Sequence, residues 1–257
     1  MGIIVWRGKS AFDGVSDVAV IVTEGNKKTG DADKRGRPVY QVWVMDAAGR
    51  TMDNRTEGRD TGVCPIECKQ RITSKGPNAP KGGCYVMQQP IGSIDRATRR
   101  GSHRIDLEWS APSDTIVRMC AYGDPGAIPS DVYARIIGRS FVLGYTHAWK
   151  RESASHLRAT CVASCDGQGD AIEARAKGWR TFTARRIGAP IPAGEIQCPA
   201  VREIKPIGCA DCKLCSGEQR GKASISIEAH GPAKRRAESA LVVIQDPKRP
   251  EEWAMWS

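Results

Sequence analysis

The 257-residue chain sets 39 lysines and arginines against 29 acids, a formal charge of +10, and is long enough to bury a core without a metal or disulfide to hold it. Its apolar runs fall well short of a membrane span, and Met1-Gly-Ile-Ile-Val-Trp-Arg-Gly-Lys9 has neither the layout of a secretory signal nor, with Trp6 at the deciding position, that of a myristoylation site. These readings argue against membrane and export classes and point to the cytoplasm, a reducing compartment in which ten cysteines read first as ligands.

Val18 to Thr23 is almost entirely apolar and β-branched, and Pro38 to Met45 alternates, so the pair predicts an N-terminal β-hairpin. Between them, Gly25-Asn-Lys-Lys-Thr-Gly-Asp31 lacks the Gly-Lys-Ser/Thr ending of a phosphate loop and reads as a glycine-rich connection, with Lys27 and Lys28 as candidate anion contacts. Residues 50 to 63 are polar and without period, which predicts loop. Cys64, Cys68 and Cys84 follow on backbone loosened by glycine and proline, so three thiolates are free to converge. The gap between Cys64 and Cys68 is the opening spacing of the radical-SAM cluster motif, although the third cysteine of that motif would follow two residues later and here comes much further on.

From Thr115 the pattern becomes regular. Ile116 to Tyr122 predicts a buried strand, Pro129 to Gly138 a helix capped by Ser130 or Asp131, and Phe141 to His147 a strand. Leu157 to Asp166 predicts another strand, Gly169 to Lys177 a helix stopped by Gly178, and Thr181 to Arg185 and Ala223 to His230 two further strands. Strand alternating with helix implies parallel βα units with right-handed crossovers, and ligands in such sheets gather at the carboxyl ends of the strands. Tyr122, Asp124, Tyr145, His147, Ser164, Asp166, Arg185 and His230 fall at those ends. Asp124, Asp166 and His147 are candidate catalytic acids and bases, Tyr145 a candidate nucleophile, and Ser164 a candidate cofactor contact. His103 and His156 read as structural. Beyond Gly231 the chain turns basic, Ala240 to Gln245 predicts a last strand, and Pro247 to Ser257 reads as a surface tail or one that docks by its tryptophans.

The strongest signal is Cys198-Pro-Ala-Val-Arg-Glu-Ile-Lys-Pro-Ile-Gly-Cys209-Ala-Asp-Cys212-Lys-Leu-Cys215. Two successive CxxC spacings put three thiolates on one knuckle, and Cys198 can close the shell, as zinc and iron–sulfur sites both require. Cys120, Cys161 and Cys165 are left open, although Cys161 and Cys165 share one face of a strand and read as core. Arg96 to Arg104, Arg185-Arg186 and Lys234-Arg235-Arg236 concentrate the positive charge and point to a polyanionic partner such as nucleic acid.

In this order the motifs resemble the phage "gene 88" family: Cys64, Cys68, Cys84-Tyr85, Arg118 with Gly123-Asp124, Tyr145-Thr146 with Trp149-Lys150, Ala163-Ser164 with Asp166, and Cys198-Pro199 with Cys209, Cys212 and Cys215. More distantly, the Cys-Tyr step and the Gly-Asp strand end are similar to a phage-associated family related to radical-SAM barrels. The resemblance implies a phage or mobile-element origin, hence a host-cell cytoplasm, and adds Tyr85 and Arg118 to the candidate cofactor contacts. The expected architecture is a single α/β domain over residues 1–231, a partial or full βα barrel-like parallel sheet with an N-terminal hairpin and a cysteine-rich metal knuckle. A basic strand and tail over 232–257 would follow it. The expected function is an iron–sulfur protein with a 4Fe–4S cluster, radical-SAM-like with S-adenosylmethionine as cofactor, acting on nucleic acid or nucleotides. Two alternatives stand beside it. One is a zinc-stabilised DNA-binding or replication protein in which Tyr145 beside His147 cuts DNA, and the other a non-catalytic host-interaction protein.

Overall fold

Continuous apolar runs in this chain become strands buried on both faces, and their order along the sheet decides where the polar strand ends collect. The computed structural model describes residues 2–25, 31–71, 84, 86, 88–201, 207–219, 221–230 and 234–244. Strands β1 (Ile3–Lys9), β2 (Asp17–Glu24) and β3 (Val39–Asp46) form an antiparallel meander, followed by helices α1 (Thr51–Thr56) and α2 (Gln88–Arg99) and the short strand β4 (Arg104–Ile105). Strand β5 (Ile116–Tyr122), helix α3 (Ser130–Ile137), strand β6 (Phe141–Thr146), strand β7 (Val162–Cys165), helix α4 (Gln168–Ala176) and strand β8 (Thr181–Arg185) then alternate. Strand β9 (Glu195–Gln197), the single turn α5 (Cys209–Cys212), strand β10 (Ser224–Glu228) and helix α6 (Lys234–Ile244) complete the order.

All ten strands join one sheet in the order β4-β1-β2-β3-β5-β6-β7-β8-β10-β9, and every neighbouring pair other than β1/β2 and β2/β3 is parallel. The fold is therefore α/β, a mostly parallel mixed sheet with an antiparallel N-terminal hairpin. Its edges are β4 and β9, which do not pair with one another. One face packs Val117, Met119, Val142 and Ala163 against Tyr133 and Ile136 of α3 and Ala171 and Ala174 of α4. The opposite face presents Val162, Phe182, Ile225 and Ile227 to Cys198, Leu214 and Cys215, and Ile116 and Leu143 to Ala210. The cysteine-rich segment is thus the cover of the second face, standing where a helix would stand on the first.

Several expectations are corrected. Residues 51–56, expected as loop, are α1, and Ala240 to Ile244, expected as strand, belong to α6. In α6 Ala237 and Leu241, four residues apart, are both 1% exposed, so one buried helical stripe outweighs the β-branched run. Leu157 to Ala159 lie in a 3-10 helix, Glu152–Ala159, and β7 begins only at Val162. Helix α3 starts from Pro129 without a side-chain cap from Ser130 or Asp131. Strand β1 and the short strands β4 and β9 lie where the sequence gives no clear periodic signal. Lys27, Lys28, Tyr85 and the tail from Pro247 lie outside the described residues.

Candidate functional site

At the carboxyl ends of β5, β6 and β7 the expected polar residues do meet. Gly123, at φ +79°, turns the chain after Tyr122 where a side chain would strike Val44, and this delivers Asp124. Asp124 is 4% exposed. Its Oδ1 accepts from the Gly126 amide at 2.8 Å and the Thr146 hydroxyl at 2.7 Å, and its Oδ2 accepts from the His147 amide at 2.8 Å. Burial raises its pKa despite these donors. With both oxygens engaged, Asp124 splices the end of β5 to the end of β6 and orients His147, rather than presenting a free base.

His147 Nε2 stands 3.4 Å from Asp166 Oδ1, and Asp166 also accepts from the Lys69 amide and Gln70 Nε2, each at 3.2 Å. Burial opposes the imidazolium, but Cys68 and Asp166 outweigh it and lift the His147 pKa well above its usual value. Burial likewise opposes the Asp166 carboxylate, and His147 reverses this and holds it low. The pair is therefore a part-buried histidine on a buried carboxylate, with Cys68 beside it. Ser164 contributes its carbonyl, which accepts from Trp149 Nε1 at 3.0 Å.

Three cysteines crowd this end. Backbone bonds hold their loop in place: Asp124 N to Val63 O at 2.9 Å, Cys64 N to Asp60 O at 2.8 Å and Cys84 N to Gln70 O at 2.8 Å. The Cys64 thiol is pushed well up by burial and then by Asp60, Cys68 and Cys84, so the three sulfurs share one local field. Sequence reasoning missed the ionic frame around them. Arg71 and Asp60 form a buried pair, 5% exposed on each side, and Tyr122 donates its hydroxyl to Asp60 Oδ2 at 3.4 Å. Arg55, on α1, is 2% exposed, and neither Nη1 nor Nη2 has a hydrogen-bond partner among the described residues. The available signal was charge, since Arg55, Asp60 and Arg71 bracket the first two cysteines in a stretch otherwise read as loop.

The second set lies on the covered face. Cys198 N donates to Ser226 O on β10 at 2.8 Å, and the Gly144 amide of β6 donates to Cys215 O at 2.7 Å. Arg180 clasps the knuckle by donating to Leu214 O at 2.7 Å and Ser216 O at 2.6 Å. Lys213, the left-handed residue that ends α5, reaches Asp33 Oδ2 at 2.9 Å. Burial and then Cys209, Cys198 and Cys212 push the Cys215 thiol well up. All four cysteines border one cavity of about 210 Å³, which Arg118, Tyr145, Phe182 and His230 also line. Among the described residues, no three His, Cys, Asp or Glu side chains converge on a single point as they would around one ion.

Arg118 and Tyr145 stand between the two sets. Arg118 donates to Gln41 Oε1 at 3.2 Å and Tyr145 Oη at 3.4 Å, and Tyr145 stacks on Phe182 at 5.3 Å between centroids. Burial raises the Tyr145 pKa, Arg118 counters it, and Cys215, Cys209 and Cys84 raise it further, so thiols of both sets act on one phenol. Tyr145 therefore belongs to the cavity rather than to the His147–Asp166 pair. Cys120, Cys161 and Cys165 are buried in the helix-covered core, where burial pushes Cys161 up to about 12. Arg185 is also internal, its guanidinium bonded to Glu228, Ala189 O and Gln197, so it offers no free phosphate contact. Comparison with protein-family models, curated proteins and solved structures finds no match.

Proposed function

We propose that this chain is an iron–sulfur protein with two centres on a half-barrel of parallel strands. One is an open centre on Cys64, Cys68 and Cys84, and the other a closed one on Cys198, Cys209, Cys212 and Cys215. The observation that carries it is the spread of four thiols around a cavity of about 210 Å³. One zinc ion draws four sulfurs to about 2.3 Å from a point and leaves no such space, whereas a four-iron cube keeps its cysteines apart around a body of its own. The run β3-β5-β6-β7-β8-β10 supports this reading, because it is six successive strands in the parallel pairing that a half-barrel needs, and the cysteine segment covers one of its faces.

Neutral thiols have no reason to converge, and they gather only when deprotonated by the group they bind. When bound, a cluster held by three thiolates supplies an iron with a vacant position for a substrate or for S-adenosylmethionine. At that end Asp124 fixes the His147 backbone, and the His147–Asp166 pair holds a proton at Nε2 beside Cys68. In the four-thiol centre every position is taken, which suits structure or electron storage. A polyanion is the partner class the charge favours. Arg96 and Arg99 on α2, Arg100 in the turn after it and Arg104 on β4 are exposed, and a phage or mobile-element enzyme acting on nucleic acid would use such a stripe for phosphates.

The test is anaerobic purification with iron, acid-labile sulfide and zinc counted on the same sample. About eight irons and as many sulfides, with visible charge-transfer absorption, are expected from two cubes. A colourless protein holding one zinc would overturn the proposal and leave the zinc-stabilised DNA-binding reading in its place.

A further inference from the structure

Large apolar side chains cost free energy where water is their only neighbour, so an exposed pair set beside a row of cations raises the question of what covers it. Ile105, on the edge strand β4, is 61% exposed, and Leu107, in the turn after it, is 49% exposed. They follow directly on the arginine stripe. Arg96 and Arg99 stand on the last turn of α2, Arg100 just after it and Arg104 on β4 beside Ile105, and all four are exposed. Arg99 pairs with the buried Asp95 at 3.2 Å and Arg104 with Asp106 at 3.3 Å, while Arg96 and Arg100 have no ion pair among the described residues. The backbone beneath them is tied down. Arg100 N donates to Arg96 O at 3.1 Å and Ser102 N to Ala97 O at 3.0 Å, and Arg104 N and Asp106 N bond this segment to Gly2 O and to Ile4 O of β1. Charge and apolar surface are thus presented together, on a helix end and a strand edge that no partner has to order.

We propose that this α2–β4 surface binds single-stranded nucleic acid, with phosphates on the arginines and unpaired bases laid over Ile105 and Leu107. The proposal rests on the nucleic-acid part of the reading above and is independent of its metal centres. Phosphate contacts alone would suit a duplex equally well, and they would leave the apolar pair in water. A duplex keeps its base faces stacked inside, whereas a single strand offers an apolar face on every base, and such a face can cover an aliphatic side chain. Each lysine-or-arginine position in the run from 96 to 104 is arginine, whose flat guanidinium can pair with a phosphate and also stack on a base. At the far edge of the sheet no residue of β9 is exposed, and Glu195 there is turned inward onto Thr181 and Thr183. The edge that leaves apolar side chains in water is therefore the positively charged one, which selects an anionic partner with apolar faces.

The test measures the full chain by fluorescence anisotropy against a short mixed-sequence oligonucleotide, single-stranded and as its duplex, over a range of salt. The single strand should bind about tenfold more tightly than the duplex at the same salt. Ile105→Ser with Leu107→Ser, which keeps every charge, should remove that preference and leave duplex affinity and both salt slopes as in the wild type. Arg96→Ala with Arg100→Ala should weaken both forms and lower both slopes. Folding is checked by circular dichroism, and should the double serine variant not fold, Leu107→Ser alone should lose part of the preference. Equal affinity for the two forms, or a preference untouched by the serine substitutions, overturns the inference and leaves nucleic-acid binding in place. Absence of binding to either form at low salt, or tighter capture of polyglutamate than of either oligonucleotide, overturns the nucleic-acid reading itself. Self-association in sedimentation that the serine substitutions abolish would assign Ile105 and Leu107 to a second copy of the chain and also overturn the inference.

Discussion

The two sets of cysteines are built into opposite kinds of surroundings. Around Cys64, Cys68 and Cys84 the neighbours are ionic: Arg55 on α1, the Asp60–Arg71 pair, and the His147–Asp166 pair at the ends of parallel strands. Around Cys198, Cys209, Cys212 and Cys215 they are chiefly the apolar faces of Val162, Phe182, Ile225 and Ile227, and the segment itself is clasped by Arg180 and Lys213. Charged groups in a low-dielectric site respond strongly to a change of charge nearby, while an apolar wall does not. The difference teaches that one residue type serves two surroundings here, an ionic one at the first set and an apolar one at the second.

The largest expected effect separates the two sets directly. Cys212→Ser should remove about half of the iron and markedly lower the melting temperature, because the cover of one sheet face loses its fastening. Cys68→Ser should remove the other half with a much smaller change in melting, and equal melting losses would erase the contrast. Next is Arg180→Ala, which deletes charge-assisted bonds to Leu214 O, Ser216 O and Ala223 O and should cost about 3 kcal/mol in denaturant unfolding. Asp33 anchors the same knuckle from the hairpin side. Burial alone would lift its carboxyl, but Lys213 and Arg37 hold it far below the usual carboxylate range. Its contribution is therefore complete above the pH at which an unfolded aspartate titrates and is lost as the pH falls below it toward the lower folded value, so Asp33→Asn should weaken the fold at neutral pH and flatten the loss of stability in acid. Breaking this buried pair should cost about 3 kcal/mol at neutral pH. The smallest effect lies outside both sets. Arg96→Ala with Arg100→Ala should change stability by less than about 0.5 kcal/mol, yet lower the salt slope of nucleic-acid binding by about 2 if that stripe meets phosphates.

The parallel strands were readable because β5 and β6 are short apolar runs closed by turn residues, and such runs can do little else in a chain of this size. Helix α6 was not, since its local β-branched character is overridden by a buried stripe that exists only once Ala237 and Leu241 have something to pack on. Helix α1 was missed for the related reason that its buried face is Thr51 and Arg55, polar residues that leave no hydrophobic period. Asp124 was found by position but not by role, because a free strand-end acid and an acid with three donors on its two oxygens look alike until those donors are placed.

Sequence alone determined the inventory: ten thiols, their division into an early loop set and a late knuckle, and polar residues at the ends of βα strands. These follow from spacing and period, which are properties of a line. Only the tertiary structure decided that the knuckle covers one face of the sheet, that Tyr145 lies in the cavity under it, and that Arg55 is buried beside Cys84 of the first set. Burial and the pairing of charges depend on residues far apart in the chain meeting in space. A guanidinium is ordinary on a surface, and it takes on functional meaning only when the fold withdraws it from water and leaves it next to sulfur.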